Sequence, residues 1–200
     1  NYKSALQYFH KGLDFVLDAP TNNPALIAPF HFELGGTYSQ LSRFPEAIAQ
    51  YKKAIVTGSQ DDKSYGIIAT SWQSMGDIYM YIGDYEQAYT AHLKTIEISK
   101  NTLHWGYSYY MMGRIYFHQK QLDESLKYYK KSLEIWKEND NKVWIYTCND
   151  AIGVLYGEKQ QYDKWFEHSQ IALQTAKEAK YPTGIAYGTH NLAGYYQDTG

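Results

Sequence analysis

Apolar residues recur at intervals of three and four, first as Leu34, Tyr38 and Leu41, then as Phe44, Ala47, Ile48, Tyr51, Ala54 and Ile55. Each run marks one face of a 3.6-residue period, so the stretch predicts two amphipathic helices in succession. The polar link Ser42-Arg43 between them is too short for anything but an antiparallel return. The same figure returns around the links Gly83-Asp84, Lys120-Gln121 and Gln160-Gln161. Pro45 stands where a second helix begins, a place at which its missing N–H costs nothing. Gly83 can take the left-handed conformation that ends a helix.

Four stretches align without a gap, at 34–55, 75–96, 112–133 and 152–173. Each opens on an apolar residue and a glycine: Gly35, Gly76, Gly113 and Gly153. Three residues later come Tyr38, Tyr79, Tyr116 and Tyr156, and six further on Phe44, Tyr85, Leu122 and Tyr162. From one glycine to the next the steps are 41, 37 and 40 residues, so length varies between repeats and not within them. The predicted fold is all-α, an α-solenoid of antiparallel helical hairpins with about ten helices.

The reading divides 1–200 as one array. A lone second helix at 1–17 is followed by repeats at 28–60, 66–100, 104–139 and 143–179, and by a lone first helix at 183–200. Tyr2, Ala5, Phe9 and Gly12 fit the second half of a repeat; Leu192, Ala193 and Tyr196 fit the first half. Such ends lead us to expect a piece of a longer array, since terminal repeats of a solenoid carry a polar capping face.

The small residues on both helices let backbones approach while aromatic rings fill the space around them, so a bulky side chain at Gly76 should overpack the pair. Trp165 stands where the other repeats carry Ala47, Ala88 and Ser125, and predicts a local splay or rotation in the fourth hairpin.

The pattern resembles the tetratricopeptide repeat, W-x2-L-G-x2-Y followed by A-x3-F. Trp72, Met75, Gly76 and Tyr79 match the first helix; Ala88 matches the second, with His92 in the aromatic place. The closing proline is missing from all four repeats and the period exceeds the usual one of about 34, which makes the chain similar to the long-repeat branch of kinesin light chains, Leu-Gly-Asn-type spindle adaptors and Rap-like regulators. The resemblance implies a right-handed superhelix whose first helices line a concave, peptide-binding surface.

On the matching positions, that surface would hold Gln73, Asp77 and Tyr81 from the second repeat, and Tyr110, Arg114, Phe117 and His118 from the third. Asp150 comes from the fourth. Phe32, Gly36, Ser39 and Gln40, then Met80, Val154, Gly157, His190 and Gln197, stand at flanking places. Some relatives clamp the acidic tail of a chaperone with Lys, Asn and Arg. Only Arg114 could serve here, so the surface implies an extended or helical peptide held by aromatic anchors and side-chain amides. The implied function is a non-catalytic protein-binding scaffold. The alternative is a sensory segment of a signalling protein whose kinase, transcription-regulating or protease module lies elsewhere.

Composition narrows the picture. Lys+Arg 19 against Asp+Glu 21 leaves a net charge of −2, too little positive field to hold nucleic acid by counterion release. No stretch reads as membrane-spanning or as a signal peptide. Cys148 is the sole cysteine, nothing local lowers its pKa, and the seven histidines include no pair at i, i+4, so no metal and no cofactor is expected. No phosphate loop, dinucleotide loop, zinc-protease motif or nucleophile elbow occurs. Asp61-Asp62 and Asp123-Glu124 sit near helix starts, where they suit the helix dipole. The tyrosines, 22 of 200, follow the repeat. Self-association through the terminal half-repeats completes the partner reading.

Overall fold

The computed structural model describes residues 2–19, 23–60 and 64–199, and among these ten α-helices and no strand occur. The chain divides into two compact units, Asn1–His104 and Trp105–Gly200. The first holds α1 (Tyr2–Leu17), α2 (Pro24–Gln40), α3 (Phe44–Gly58), α4 (Tyr65–Ile82) and α5 (Tyr85–Ile98). The second holds all but the first turn of α6 (Thr102–His118), then α7 (Leu122–Glu138), α8 (Lys142–Glu158), α9 (Tyr162–Glu178) and α10 (Pro182–Thr199). Asp61-Asp62 lies outside the described residues, whereas Asp123 and Glu124 occupy the first turn of α7.

Helices start and stop for local reasons. Asn23, Asp84 and Asn141 accept backbone N–H groups at the heads of α2, α5 and α8, satisfying donors with no partner inside the helix. Pro45 lies in the first turn of α3. The hairpin turns are built alike: Ser42, Gly83, Lys120 and Gln160 all have positive φ, at 57°, 81°, 60° and 56°. The next residue then donates its N–H to the carbonyl of Tyr38, Tyr79, Tyr116 or Tyr156, the tyrosine of the repeat. This double-bonded ending closes orphan carbonyls with main-chain groups alone. Only one of the four turns uses glycine, which avoids the Cβ clash that the other three accept.

The glycines at the start of the first three repeats mark close helix approaches. A Cβ added at Gly35 would lie 2.7 Å from the Tyr51 ring, at Gly76 2.8 Å from the His92 ring, and at Gly113 2.5 Å from the Tyr129 ring. Hydroxyls reinforce two approaches: Ser125 donates to the Gly113 carbonyl at 2.8 Å and Ser132 to the Gly106 carbonyl at 2.7 Å. In the fourth hairpin Gly153 faces the small Ser169, while Gly157 makes room for the Trp165 ring, 3.0 Å from where its Cβ would be.

Each unit has its own core. In the first, Leu13, Ile27 and Leu34 join α1 to α2, and Ala47, Tyr51, Met75 and Ile78 join α3 to α4. In the second, Tyr129, Leu133 and Trp136 of α7 pack against Ile145, Cys148, Ile152 and Leu155 of α8. Trp136 stacks on Trp144 at 5.1 Å between centroids. Each fully buried Leu, Ile or Met contributes about 1.5–3 kcal/mol by leaving water. First helices also touch one another, α2 with α4 and α8 with α10.

Candidate functional site

Each unit carries a cleft, and each cleft collects residues that the repeat pattern places on first helices. In the second unit α6 presents Tyr110, Arg114, Phe117 and His118, spaced by three and four and so on one face. Across from them α8 presents Asp150, Ala151 and Val154, and the buried Tyr129 of α7 helps to line the same cleft of about 220 Å³. Five of the eight sequence candidates thus meet at one place. The volume suits one side chain of a partner rather than a whole ligand.

The walls of this cleft are fixed by packing. Tyr110 contacts Tyr129 and Trp144, each at 5.4 Å between ring centroids. Burial pushes its phenol up to about 12, although Arg114 pulls the other way. The Arg114 guanidinium lies 3.8 Å from the Met111 sulfur, and the Lys120 ammonium sits over the Phe117 ring at 5.7 Å. His118 is exposed, yet partial desolvation, with Arg114 and Lys120 nearby, lowers its pKa and favours the neutral ring. Burial raises the Asp150 carboxyl, partly offset by the Asn191 amide, which donates to it at 2.6 Å from α10.

In the first unit a larger cleft, of about 500 Å³, lies between α2 and α4. Gly36, Ser39 and Gln40 come from α2; Ser74, Asp77, Ile78 and Tyr81 come from α4; Phe44 and Tyr51 of α3 and Ser42 of the turn also line it. Tyr81 is 77% exposed and rests on Phe44 at 5.1 Å between centroids. Tyr51 has its phenol pKa raised, first by burial, while a hydrogen bond with Ser74 acts against the shift. Asp77 lies 3.8 Å from Nε2 of His92, whose fully buried ring has its pKa lowered to about 3 by desolvation and is therefore neutral at pH 7.

Five flanking candidates and one principal one take other places. Gln73 lines neither cleft; it is half-buried on α4 with its side-chain oxygen shut away from solvent. Met80 is buried, so it belongs to the core and not to a binding face. Gly157 serves Trp165, while Phe32 packs on Tyr51 at 5.7 Å. His190 and Gln197 are exposed on α10. Sequence reasoning missed Tyr129, Trp144 and Asn191. Tyr129 could have been found, because it follows Gly113 at the distance Tyr51 follows Gly35; Trp144 and Asn191 stand at no shared repeat position.

Chemically, these walls offer aromatic faces, amides, one guanidinium and two carboxylates. Among the described residues no group of three or more His, Cys, Asp or Glu could hold a metal ion, and no helix is long and apolar enough to cross a membrane. Cys148 is fully buried beside the Ser132 hydroxyl at 3.3 Å, and burial pushes its thiol up to about 12.

An all-helical stack of hairpins with side clefts defines a helical-repeat protein, and comparison with known proteins identifies the kind. Residues 106–178 match one tetratricopeptide repeat profile and residues 71–104 another. The two stretches together exceed half of the chain, which belongs to the tetratricopeptide repeat proteins and is a helical-repeat scaffold of that family. Members of the family are typically non-catalytic. The BBSome complex member BBS4 of Bos taurus is 24% identical over 152 residues, 74% of this chain and 25% of that protein. This chain therefore spans about a quarter of that relative's length. Among solved structures, BtubC (BKLC) from P. vanneervenii is similar with a TM-score of 0.81 at 15% identity, over 98% of this chain and 83% of that one. Aspartyl phosphate phosphatase F from Bacillus subtilis gives 0.83 at 14% identity, over 98% and 55%. At such identities the likeness is one of fold.

Proposed function

We propose that the second unit holds a peptide segment of a partner protein in the cleft between α6 and α8, and that the chain acts by binding alone. The observation that carries this reading is the convergence of Tyr110, Arg114, Phe117 and His118 with Asp150 around one cleft. Tyr110 and Phe117 supply apolar faces for a side-chain anchor. Arg114 supplies N–H donors for a peptide carbonyl or carboxylate, and the neutral His118 ring adds one donor and one acceptor. Nothing in this arrangement needs a bond to be made or broken, so the reading includes no enzymatic step. A net charge of −2 favours a protein partner over nucleic acid. Self-association through the end helices belongs to the same reading, supported by the exposure of Tyr8 and Phe15 on α1 and of Tyr187 and Tyr196 on α10. Sedimentation across a concentration series tests that part.

The main test selects ligands from a random peptide display library and measures their affinity by titration calorimetry. Arg114→Ala should weaken binding about tenfold, equal to about 1.4 kcal/mol, without moving the melting temperature by more than a degree or two. Affinity unchanged in both Arg114→Ala and Phe117→Ala would remove the cleft from the binding surface.

A further inference from the structure

The two clefts differ in charge at one repeat position. Arg114 directly follows Gly113, whereas Asp77 directly follows Gly76. Among the residues lining the first unit's cleft, Asp77 is the one with a formal charge. The cleft also receives the closing turns of two helices. Ser39 and Gln40 end α2, and Tyr81 lies in the last turn of α4. A helix C-terminus carries about half a negative charge from its aligned peptide dipoles, which favours a cation there. Neither α2 nor α4 places a basic residue in its last turn, while α6 ends on His118 with Lys120 just beyond. His92, neutral beside Asp77, adds no positive charge.

Aromatic faces stand in the same cleft. Tyr81 follows Asp77 by four residues, on the same face of α4, and offers an open ring braced by Phe44. A carboxylate, an exposed phenol face and two helix C-termini around about 500 Å³ form a site for a positive charge on a stem long enough to reach it. We infer that the cleft between α2 and α4 receives a cationic side chain, arginine or lysine, from a partner peptide. The cation lies against the open face of Tyr81 with its charge directed to Asp77, and Ser39, Gln40 and Ser74 offer acceptors to its N–H groups.

For its biological sense this inference rests on the peptide-binding reading, but its test does not use that reading's cleft. A blocked tripeptide Ala-Arg-Ala is titrated into the protein while the amide signals of Asp77 and Gly83 and the ring signals of Tyr81 are followed by NMR. The neutral isostere Ala-citrulline-Ala serves as its control. Graded shifts at these residues are expected with arginine, reduced at least about fivefold in apparent affinity for citrulline, for Asp77→Asn and for Tyr81→Ala. Asp77→Asn keeps the shape of the side chain, and Tyr81 is exposed, so both variants should fold; circular dichroism verifies that. Arg114→Ala should leave the titration unchanged. Equal shifts with arginine and citrulline, or none with either, would overturn the assignment, and peptide binding in the α6–α8 cleft would stand or fall separately.

Discussion

The hairpins α6–α7 and α8–α9 belong to the same unit and meet the same packing demand with large and small residues exchanged. In α6–α7, Gly113 lies under the ring of Tyr129, and the place one turn earlier on α7 is filled by Ser125, whose hydroxyl binds the Gly113 carbonyl. In α8–α9, Ser169 stands opposite Gly153, and the ring has moved one turn back to Trp165, which Gly157 on α8 accommodates. Phe117 occupies in α6 the position that Gly157 holds in α8. At this level of the helix pair a glycine stands opposite a ring in both hairpins, and the turn at which they meet shifts where both partners shift together.

The strongest way to break this equivalence is at the glycines. Gly113→Leu should destabilise the protein by about 1–3 kcal/mol, because its Cβ alone would meet Tyr129 at 2.5 Å. Gly153→Ala, which meets Ser169 Oγ at 3.0 Å, should cost less than about 1 kcal/mol, since alanine's helix preference offsets part of the crowding. Urea unfolding compares the two; equal losses would mean that ring position does not set the contact.

At the turns the two hairpins agree, and there a substitution sharpens the likeness. Lys120 and Gln160 both hold φ near the left-handed region, at a cost of roughly 1–2 kcal/mol each relative to an unstrained residue. Lys120→Gly and Gln160→Gly should each raise stability by up to about 1 kcal/mol, and Gly83→Ala should lower it by a similar amount. Melting temperatures of the three variants give the answer.

The smallest expected effect concerns charge. The Asp150 carboxyl on α8 has its pKa raised by burial, so the folded protein holds that proton more tightly than the unfolded chain. The contribution of this group is then most favourable at low pH and is lost as pH rises through the raised pKa of the folded state. Asp150→Asn should flatten that part of the stability–pH curve. Burial sets the direction of this shift, and the Asn191 amide of α10 opposes it. A wild-type slope that survives the substitution would assign the proton elsewhere.

The spacing of Gly35, Tyr38, Phe44 and Tyr51, repeated down the chain, made the helical hairpins readable, because helix periodicity and turn length are local properties. The links at 42, 83, 120 and 160 are where the chain turns for the same reason. Five candidate residues around one cleft were readable because they share repeat positions. The rest depends on contacts between repeats, which no single period encodes. Trp144 closes on Tyr110, Asn191 reaches Asp150 from two helices away, and Gly157 answers Trp165; each needs knowledge of which faces meet. Met80 reads as a groove residue by register and is buried, because the residue tolerated there is set by the space its neighbours leave.

The hairpin ending, in which the residue after Ser42, Lys120 or Gln160 returns its N–H to the carbonyl of a tyrosine three places before the cap, uses no side chain at all. Copies of such a hairpin can accumulate inherited change at the tip while the fold stays the same, whereas a change at Gly35 or Gly113 is a lesion. Drift at the tips and constancy at the glycines are the two marks by which duplicated descendants of one ancestral hairpin would be recognised in this chain.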